Sequence, residues 1–217
     1  MKISLLGGTG SFAEGLVIRW AKVGHEVLIG SRTQEKADVA AAEINEKAKE
    51  QGVDGSIIGM ENGEAAKASE VVVVCLPPEY TNATLEGISS SFTNQIVISP
   101  VVPMKFGKVV SYDPPESGSA AIGIQNVLPD TVNVVSAYHN IPAKGLANFD
   151  KPLDYDVVIC GDDDEAKAVV SKLTEEMPSL KAIDAGPLEI SSMIEAITPL
   201  IINMNKKHKH EFSIKFI

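Results

Sequence analysis

The fold is decided by residues 1–36, which read MKISLLGGTGSFAEGLVIRWAKVGHEVLIGSRTQEK. Their hydrophobic pattern predicts, in order, a strand over 2–6, a glycine-rich turn over 7–10, a helix over 12–23 and a strand over 26–29. The spacing of Gly8, Gly10 and Ala13 matches the dinucleotide-binding pattern G-x-G-x-x-G/A. The same glycine turn can occur without a ligand, but here the flanking strand and helix are those that the pattern requires.

Each small residue of the pattern has an expected role. Gly8 would permit the tight turn, Gly10 would let the backbone approach a pyrophosphate, and Ala13 would keep the helix close to the strand. The free N–H groups at the start of the helix would then face the phosphates. Gly24 is suited to the left-handed position that ends the helix.

The second strand leads into a basic junction that predicts which dinucleotide binds. About 20 residues after the glycines, an NAD-binding domain places a carboxylate on the ribose. This chain has Ser31 and Arg32 instead, and a guanidinium can fork onto a 2′-phosphate. Lys36 lies in the first turn of a helix that Thr33 would cap, where a cation is disfavoured unless an anion lies nearby. We therefore predict NADP; the alternative is that both cations are solvated surface charges.

Composition excludes several classes of protein. The chain has 217 residues, 44% of them hydrophobic and 22% charged, as expected for a globular protein with a sizeable core. A net charge of −10 and the lack of a basic stripe argue against nucleic acid as a partner. The predicted strand at Lys2 leaves no room for a signal peptide, and no apolar run would span a bilayer, so we expect a cytoplasmic location. Cys75 and Cys160 have neither metal-ligand spacing nor a disulfide pattern, and no metal site is predicted.

The remaining chain alternates strand and helix patterns. Strands are predicted at 56–59, 71–76, 95–99, 132–137, 156–160 and 182–184, and helices at 33–51, 64–69, 80–91, 120–128 and 166–177, with a loop over 106–119. This alternation predicts an α/β fold, a Rossmann-type, doubly wound and mostly parallel sheet with a small C-terminal α/β appendage. We divide the chain into an NADP-binding domain, 1–142, and a small C-terminal domain, 143–217.

Three features of the last third need interpretation. The acidic run over 162–165 has two interpretations, a metal site or helix capping, and we favour capping with Asp162 at the N-cap and Glu165 three residues later. The apolar stretch 187–204 predicts a buried helix that breaks near Thr198 because of Pro199, and its apolar surface suggests a homodimer or higher homo-oligomer. Alternation over residues 212–216 predicts a short terminal strand.

Few residues are available for acid–base chemistry. The sequence lacks a nucleophile elbow and any clear Ser/His/Asp set, and His139 is the one histidine predicted at a strand end that faces the cofactor crevice. A structural and a functional role for His139 both stay open at this point. An alcohol dehydrogenase needs a general acid, so the shortage favours hydride exchange between two ring cofactors, in which the cofactors carry the chemistry.

The chain resembles the archaeal coenzyme F420-dependent NADP reductases. The resemblance covers essentially the whole chain, and it rests on LGGTG at 6–10, GSR at 30–32, EK at 35–36, SPVVP at 99–103, HNIPA at 139–143, CGDDDE at 160–165, DAGPL at 184–188, TPL at 198–200 and IKFI at 214–217. It implies an oxidoreductase that transfers hydride directly and reversibly between reduced coenzyme F420, a deazaflavin, and NADP. Small-molecule cofactors would then be its partners, and no catalytic acid or base would be required.

The resemblance also implies roles for individual residues. Those expected at the pyrophosphate are Thr9, Gly10, Ser11 and Phe12. Those expected at the 2′-phosphate are Ser31, Arg32 and Lys36. The rest of the NADP site would be lined by Leu76, Tyr80, Val102 and Ala143. At the deazaflavin ring the resemblance places His139, as a possible orienting group, and Ile141, with the apolar C-terminal helix closing the site.

Two alternative functions belong to other classes. One is an NADPH-dependent imine or keto-acid reductase similar to pyrroline-carboxylate reductase, which would need a positioned proton donor and a longer helical domain. The other is a non-catalytic NADPH sensor, which would bind NADP without turnover.

Overall fold

A single sheet organises the fold of the computed structural model, which describes residues 1–53, 57–149 and 151–217. Its eight strands are β1 (Lys2–Leu6), β2 (Glu26–Ser31), β3 (Ile58–Glu61), β4 (Val71–Val74), β5 (Ile96–Ser99), β8 (Asn133–Ser136), β9 (Tyr155–Gly161) and β10 (Leu180–Asp184). They lie side by side in the order β10-β9-β8-β5-β4-β1-β2-β3. A separate two-stranded hairpin pairs β6 (Met104–Lys105) with β7 (Ser111–Tyr112).

Helices connect the strands and cover both faces of the sheet. They are α1 (Ser11–Lys22), α2 (Gln34–Glu50), α3 (Asn62–Lys67), α4 (Pro78–Gly87), α5 (Ala120–Val127), α6 (Ala143–Leu146), α7 (Asp164–Glu175), α8 (Ser191–Glu195) and α9 (Ile197–His208). Short 3₁₀ turns lie at Ser89–Ser91 and Leu188–Ile190. Among the described residues, no helix is both long enough and apolar enough to cross a membrane.

The strand directions confirm the predicted doubly wound, mostly parallel sheet. From β3 to β8 every neighbouring pair is parallel, with β1 between β2 and β4. β9 then runs antiparallel to β8, and β10 is parallel to β9. Residues beyond 142 thus extend the same sheet, and the division into domains 1–142 and 143–217 stays a prediction.

Burial on both faces explains the unalternated apolar strands. All of β4 is buried, with Val73 in the core on one face and Val72 and Val74 in the core on the other. The first core is centred on Trp20, whose ring meets that of Tyr138 edge to face at 6.1 Å between centroids. Parallel strands covered on both faces are expected to be continuously apolar.

The acidic turn after β9 caps α7, as predicted, but one residue later than predicted. Asp163, not Asp162, is the N-cap, and its carboxylate accepts a hydrogen bond of 2.7 Å from the backbone N–H of Ala166. Asp162 instead accepts a hydrogen bond of 2.9 Å from the backbone N–H of Leu188. The local sequence fits either aspartate as the cap, and it carries no sign of the contact between Asp162 and the distant Leu188.

The apolar stretch 187–204 differs from the prediction. It forms a 3₁₀ turn and two helices that meet at Ala196, before the predicted break at Thr198. Pro199 lies in the first turn of α9, where its missing N–H leaves no helical bond unmade. Much of this surface is not buried within a single chain, since the exposed fraction is 67% for Met193 and 58% for Leu200. Burial against a second copy stays a prediction.

Two further predictions at the periphery need correction. The predicted loop 106–119 contains β7 of the hairpin, which is too short to give a periodic pattern. Residues 212–216 form no strand; Ile214 accepts one backbone hydrogen bond, of 2.9 Å, from Asp156 in β9. The third strand was predicted at 56–59 and is found at Ile58–Glu61, and Ser56 lies outside the described residues.

Candidate functional site

The turn between β1 and α1 requires glycine at two positions, for two different reasons. Gly7 has a φ of +70°, and a Cβ there would lie 2.8 Å from Leu76 Cδ2. Gly7 is therefore the residue of this turn that needs left-handed backbone, whereas the sequence had pointed to Gly8 as the residue that permits the tight turn. Gly8 is needed for close packing instead, because its Cβ would lie 2.8 Å from the Leu5 carbonyl oxygen. Both backbone N–H groups donate to the Gly30 carbonyl, at 3.0 and 3.2 Å.

Gly10 opens the turn to solvent. It is the N-cap of α1 with no side-chain cap, and a Cβ built on it would meet no atom within 4 Å. The first N–H groups of α1 therefore face open space, which makes them available to an anion. Ala13 is 1% exposed and belongs to the core, so the small residue does keep α1 close to the sheet.

A large cleft runs along the carboxyl ends of the parallel strands. Its volume is about 1220 Å³, above the roughly 300–1000 Å³ of common small-ligand pockets. The cleft is lined by Gly7, Thr9, Gly10, Phe12, Ala13, Ser31, Arg32, Glu35, Lys36, Val39, Ala40, Glu43, Asn62, Val74, Cys75, Leu76, Pro77, Pro78, Tyr80, Thr84, Pro100, Val101, Val102, Met104, Tyr138, His139, Ile141, Ala143 and Thr198. The candidate site residues from the sequence all lie along it except Ser11, which is exposed at the start of α1.

One end of the cleft carries the exposed cations Arg32 and Lys36. Neither forms an ion pair within residues 1–53, 57–149 and 151–217. Thr33 caps α2 as predicted, accepting at 3.4 Å from the Lys36 backbone N–H. Glu35 and Glu43 also line the cleft, so the positive charge is confined to a small area. Two cations without a carboxylate partner are suited to bind a phosphate.

Sequence reasoning missed Asn62, the first residue of α3. Its side chain is 5% exposed, and its Oδ1 accepts from the Gly7 backbone N–H at 3.3 Å. A Cβ on Gly30 would lie 2.6 Å from the same oxygen. Asn62 thus supports the glycine turn from the side, through a contact across 55 residues that no local pattern indicates.

His139 lies at the other end of the cleft and is buried. Its exposed fraction is 5%, and within the described residues neither ring nitrogen has a hydrogen-bond partner. Burial lowers its pKa to about 3, so the imidazole is neutral at physiological pH. The ring also borders a smaller cavity of about 180 Å³, next to Thr198 and Ile201. A neutral, unpartnered imidazole can offer one donor and one acceptor to a ligand, but it is a poor general acid.

The residue before His139 has unusual backbone geometry. Tyr138 has a φ of +68°, a conformation that is rare for a bulky residue. Its side chain is 1% exposed, and its hydroxyl and that of Thr174 are 2.8 Å apart. The strained residue is therefore fixed on the core side of the loop, while His139 reaches the cleft.

The buried thiol of the cleft is not an acid at physiological pH, and no metal site is found among the described residues. Burial raises the pKa of the Cys75 thiol to about 12, which keeps it protonated and a weak nucleophile. Across the described part of the chain, no group of three or more His, Cys, Asp or Glu could hold a metal ion. The cleft is thus suited to bind and orient ligands that carry their own chemistry.

The strand order and the uncapped helix after a glycine turn define a class, the Rossmann-type dinucleotide-binding proteins. A family model described as NADP oxidoreductase coenzyme F420-dependent matches residues 2–103. An F420-dependent NADP reductase of Methanocaldococcus jannaschii is 43% identical, over 96% of this chain and 94% of the relative. Another, of Methanothermobacter marburgensis, is 38% identical over the same shares. The chain belongs to the F420-dependent NADP reductase family.

Solved structures agree on the fold. A candidate F420-dependent NADP reductase from Arthrobacter sp. FB24 superposes with a TM-score of 0.83 at 24% identity, covering 100% of both chains. An imine reductase from Bacillus cereus gives a TM-score of 0.63 at 17% identity and covers 96% of this chain but 63% of its own. At these identities the likenesses show the fold alone.

Proposed function

We propose that this chain is an oxidoreductase that transfers hydride directly and reversibly between reduced coenzyme F420 and NADP. One feature of the cleft supports this most directly. A single space of about 1220 Å³ joins an anion-binding end to an end with a buried neutral imidazole. Such a cleft can hold two extended cofactors with their rings in contact. Its relatives in M. jannaschii and M. marburgensis carry the same activity in their names.

The NADP half of the site would be built on the β1–α1 turn and the β2–α2 junction. The open N–H groups after Gly10 suit a pyrophosphate, because a Cβ-free position and an uncapped helix leave room for it. The residues assigned to the pyrophosphate are Thr9, Gly10, Ser11 and Phe12. The residues assigned to the 2′-phosphate are Ser31, Arg32 and Lys36. The remaining surface is assigned to Leu76, Tyr80, Val102 and Ala143.

The F420 half would be formed by His139, Ile141 and the start of α9. Within the described residues, the two buried nitrogen atoms of His139 have no partners, and they fit a polar ring edge better than an apolar one. When bound, the two coenzymes supply the hydride donor and acceptor. The protein would hold the reacting atoms about 3–3.5 Å apart and exclude water.

The imine or keto-acid reductase alternative is disfavoured by the chemistry of the cleft. Such a reaction needs a proton donor at the substrate, and the histidine in the cleft is neutral with a pKa near 3. A non-catalytic NADPH sensor would need no ring site beyond the nicotinamide. The unpartnered imidazole of His139 argues for a second ligand.

An anaerobic assay of NADPH oxidation tests the proposed function. Coenzyme F420, FMN and pyrroline-5-carboxylate are offered separately, and the loss of NADPH absorbance is followed. Turnover with F420 alone is expected. Turnover only with the imine would support the reductase alternative, and tight NADPH binding without turnover would support the sensor.

We also propose an oligomeric state, a cellular location and a division into two domains. Exposed Met193 and Leu200 on α8 and α9 suggest a homodimer or higher homo-oligomer through the C-terminal helices, which sedimentation velocity would detect. The free thiols of Cys75 and Cys160 suit a reducing cytoplasm, which cell fractionation would test. Domains 1–142 and 143–217 would appear as two fragments in limited proteolysis.

A further inference from the structure

The chain after α9 turns back toward the site. Lys209 ends the helix in the left-handed conformation, with a φ of +51°. The backbone N–H of Phe212 then donates to Asn205 Oδ1 at 2.8 Å. The ring of Phe212 contacts those of His208 and His210, at centroid distances of 5.8 and 5.0 Å. These contacts reverse the chain and direct residues 213–216 along the start of β9.

The C-terminal residues hold two consecutive carbonyl groups of the His139 loop. The hydroxyl of Thr198, in the first turn of α9, donates to the His139 carbonyl at 2.8 Å. The hydroxyl of Ser213 donates to the Asn140 carbonyl at 2.8 Å. The two hydroxyls come from opposite ends of the segment 198–213, so the start of α9 and the C-terminal tail each contact the loop.

Asn140 ties the same loop to β9. Its side chain is 3% exposed and its Nδ2 donates to the Asp156 carbonyl at 2.8 Å and to Ser213 Oγ at 3.2 Å. Asp156 in turn binds the tail, since its N–H donates to the Ile214 carbonyl at 2.9 Å and its carboxylate accepts from the Phe216 N–H at 2.6 Å. Lys215 adds an ion pair with Asp154.

The His139 loop needs these contacts for two physical reasons. Tyr138 adopts its positive φ at a cost of about 1–2 kcal/mol. The imidazole of His139 makes no hydrogen bond within the described chain, so backbone and packing alone set its position. Without the two hydroxyls, the position of the loop would depend more on the Tyr138 side chain and on the hydrogen bond from the Asn140 side chain to Asp156.

We propose that Thr198 and Ser213 form a brace that positions the imidazole of His139 in the ring end of the cleft. This inference rests on the proposed function for its kinetic consequences, but the positioning itself is a property of the protein without ligands. Both are positioning residues, since their hydroxyls donate to the loop backbone. Thr198 also lines the cleft, whereas Ser213 is not among the described residues that line it, so Ser213→Ala tests the brace without changing that lining.

The test uses Ser213→Ala and Thr198→Val, which remove each hydroxyl with little change in size. Each variant should lower the hydride-transfer rate and the F420 affinity roughly 3–10-fold, while the NADP dissociation constant stays within about twofold. Hydride transfer is measured by stopped flow with NADPH deuterated at the transferred position. In the cofactor-free protein, the ring signals of His139 in NMR spectra should shift or broaden. Thr198→Ser and Ser213→Thr keep a hydroxyl and should restore both readouts.

Ser171→Ala is the matched control, because its hydroxyl donates at 2.9 Å to the Lys167 carbonyl within α7, away from the loop. It should leave the kinetics and the His139 signals unchanged. If Ser213→Ala and Thr198→Val merely lower the unfolding temperature and leave the His139 signals and the F420 affinity unchanged, the brace is wrong. If the wild-type protein shows no turnover with F420, the proposed function fails, and the NMR signals alone still decide the brace.

Discussion

The two ends of the cleft recognise their ligands by opposite physical means. The end at β1–α1–β2 exposes backbone N–H groups and two cations that have no carboxylate partner in the described chain. The end at His139 is buried and neutral, and its hydrogen bonds hold the loop backbone rather than a ligand. Electrostatic attraction to a phosphate tolerates a range of geometries, whereas hydride transfer between two rings depends on how accurately the rings are placed. The two ends should therefore respond differently to substitution.

The largest effect is expected from Gly10→Asp, which breaks the anion-binding end without harming the fold. Aspartate is a favourable N-cap, and a Cβ at this position meets no atom within 4 Å, so stability should be kept or raised. A carboxylate beside the pyrophosphate should weaken NADP binding about 100-fold or more. Fluorescence titration with NADPH measures it. Gly10→Asn adds the same shape without charge and is also a favourable N-cap; if it weakens binding equally, size rather than charge explains the loss.

Arg32→Ala sharpens the assignment of the 2′-phosphate. Loss of a charge-assisted hydrogen bond should raise the KM for NADP about 10- to 100-fold and leave that for NAD almost unchanged. Steady-state kinetics with both cofactors give the comparison. Arg32→Lys retains the charge but not the fork and should lie in between. An equal loss for NADP and NAD would contradict the assignment.

The buried histidine predicts a dependence of stability on pH. Since burial lowers the pKa of His139 to about 3, the unfolded chain binds a proton that the folded chain does not between pH 6.5 and 3. The free energy of unfolding should therefore fall as pH falls through this window, by up to about 1.4 kcal/mol per pH unit from this group.

Urea unfolding between pH 7 and 5 measures that slope. His139→Leu should flatten it, whereas His208→Leu, which removes an exposed histidine, should keep the wild-type dependence. A wild-type slope that survives His139→Leu would mean that the imidazole is not held neutral.

The smallest of these effects is expected on turnover. His139→Ala should slow hydride transfer about tenfold without abolishing it, because the imidazole orients a ligand and does not transfer a proton. The rate of the wild-type protein should lack an inflection near pH 6.5. Complete loss of turnover, or such an inflection, would instead indicate acid–base catalysis.

The difference between the two ends of the cleft also explains which features the sequence could predict. The glycine turn, the Thr33 cap and the Arg32/Lys36 pair lie within one contiguous stretch, so spacing and chemistry identify them. The parallel sheet follows from alternating patterns whose strands are covered on both faces. These features depend on neighbours in sequence.

The features that were missed depend on distant contacts. Asn62 supports Gly7 across 55 residues, and Thr198 reaches the His139 carbonyl across 59. Asp163 caps α7, while the neighbouring Asp162 accepts a hydrogen bond from the distant backbone of Leu188. The exposure of Leu200 within one chain likewise depends on packing, which its apolar character alone does not specify. A local pattern carries no signal for any of these contacts.

The reversal of β9 has a consequence for the geometry of the whole edge. Continuing the register of Ser136 opposite Cys160 sets residue 140 opposite residue 156, where the Asn140–Asp156 hydrogen bond is found. If β9 were parallel to β8, it would begin at the edge of the sheet that lies away from the cleft. Only the loop after its last residue would then lie beside the cleft. The antiparallel strand β9 instead extends past the end of β8, and its register sets which of its residues lie opposite the His139 loop. Inserting one residue into β9 before residue 160 would therefore change, by one position, the residue of β9 that lies opposite residue 140 at the ring end of the cleft. An insertion at the Asp162 turn would leave this pairing unchanged.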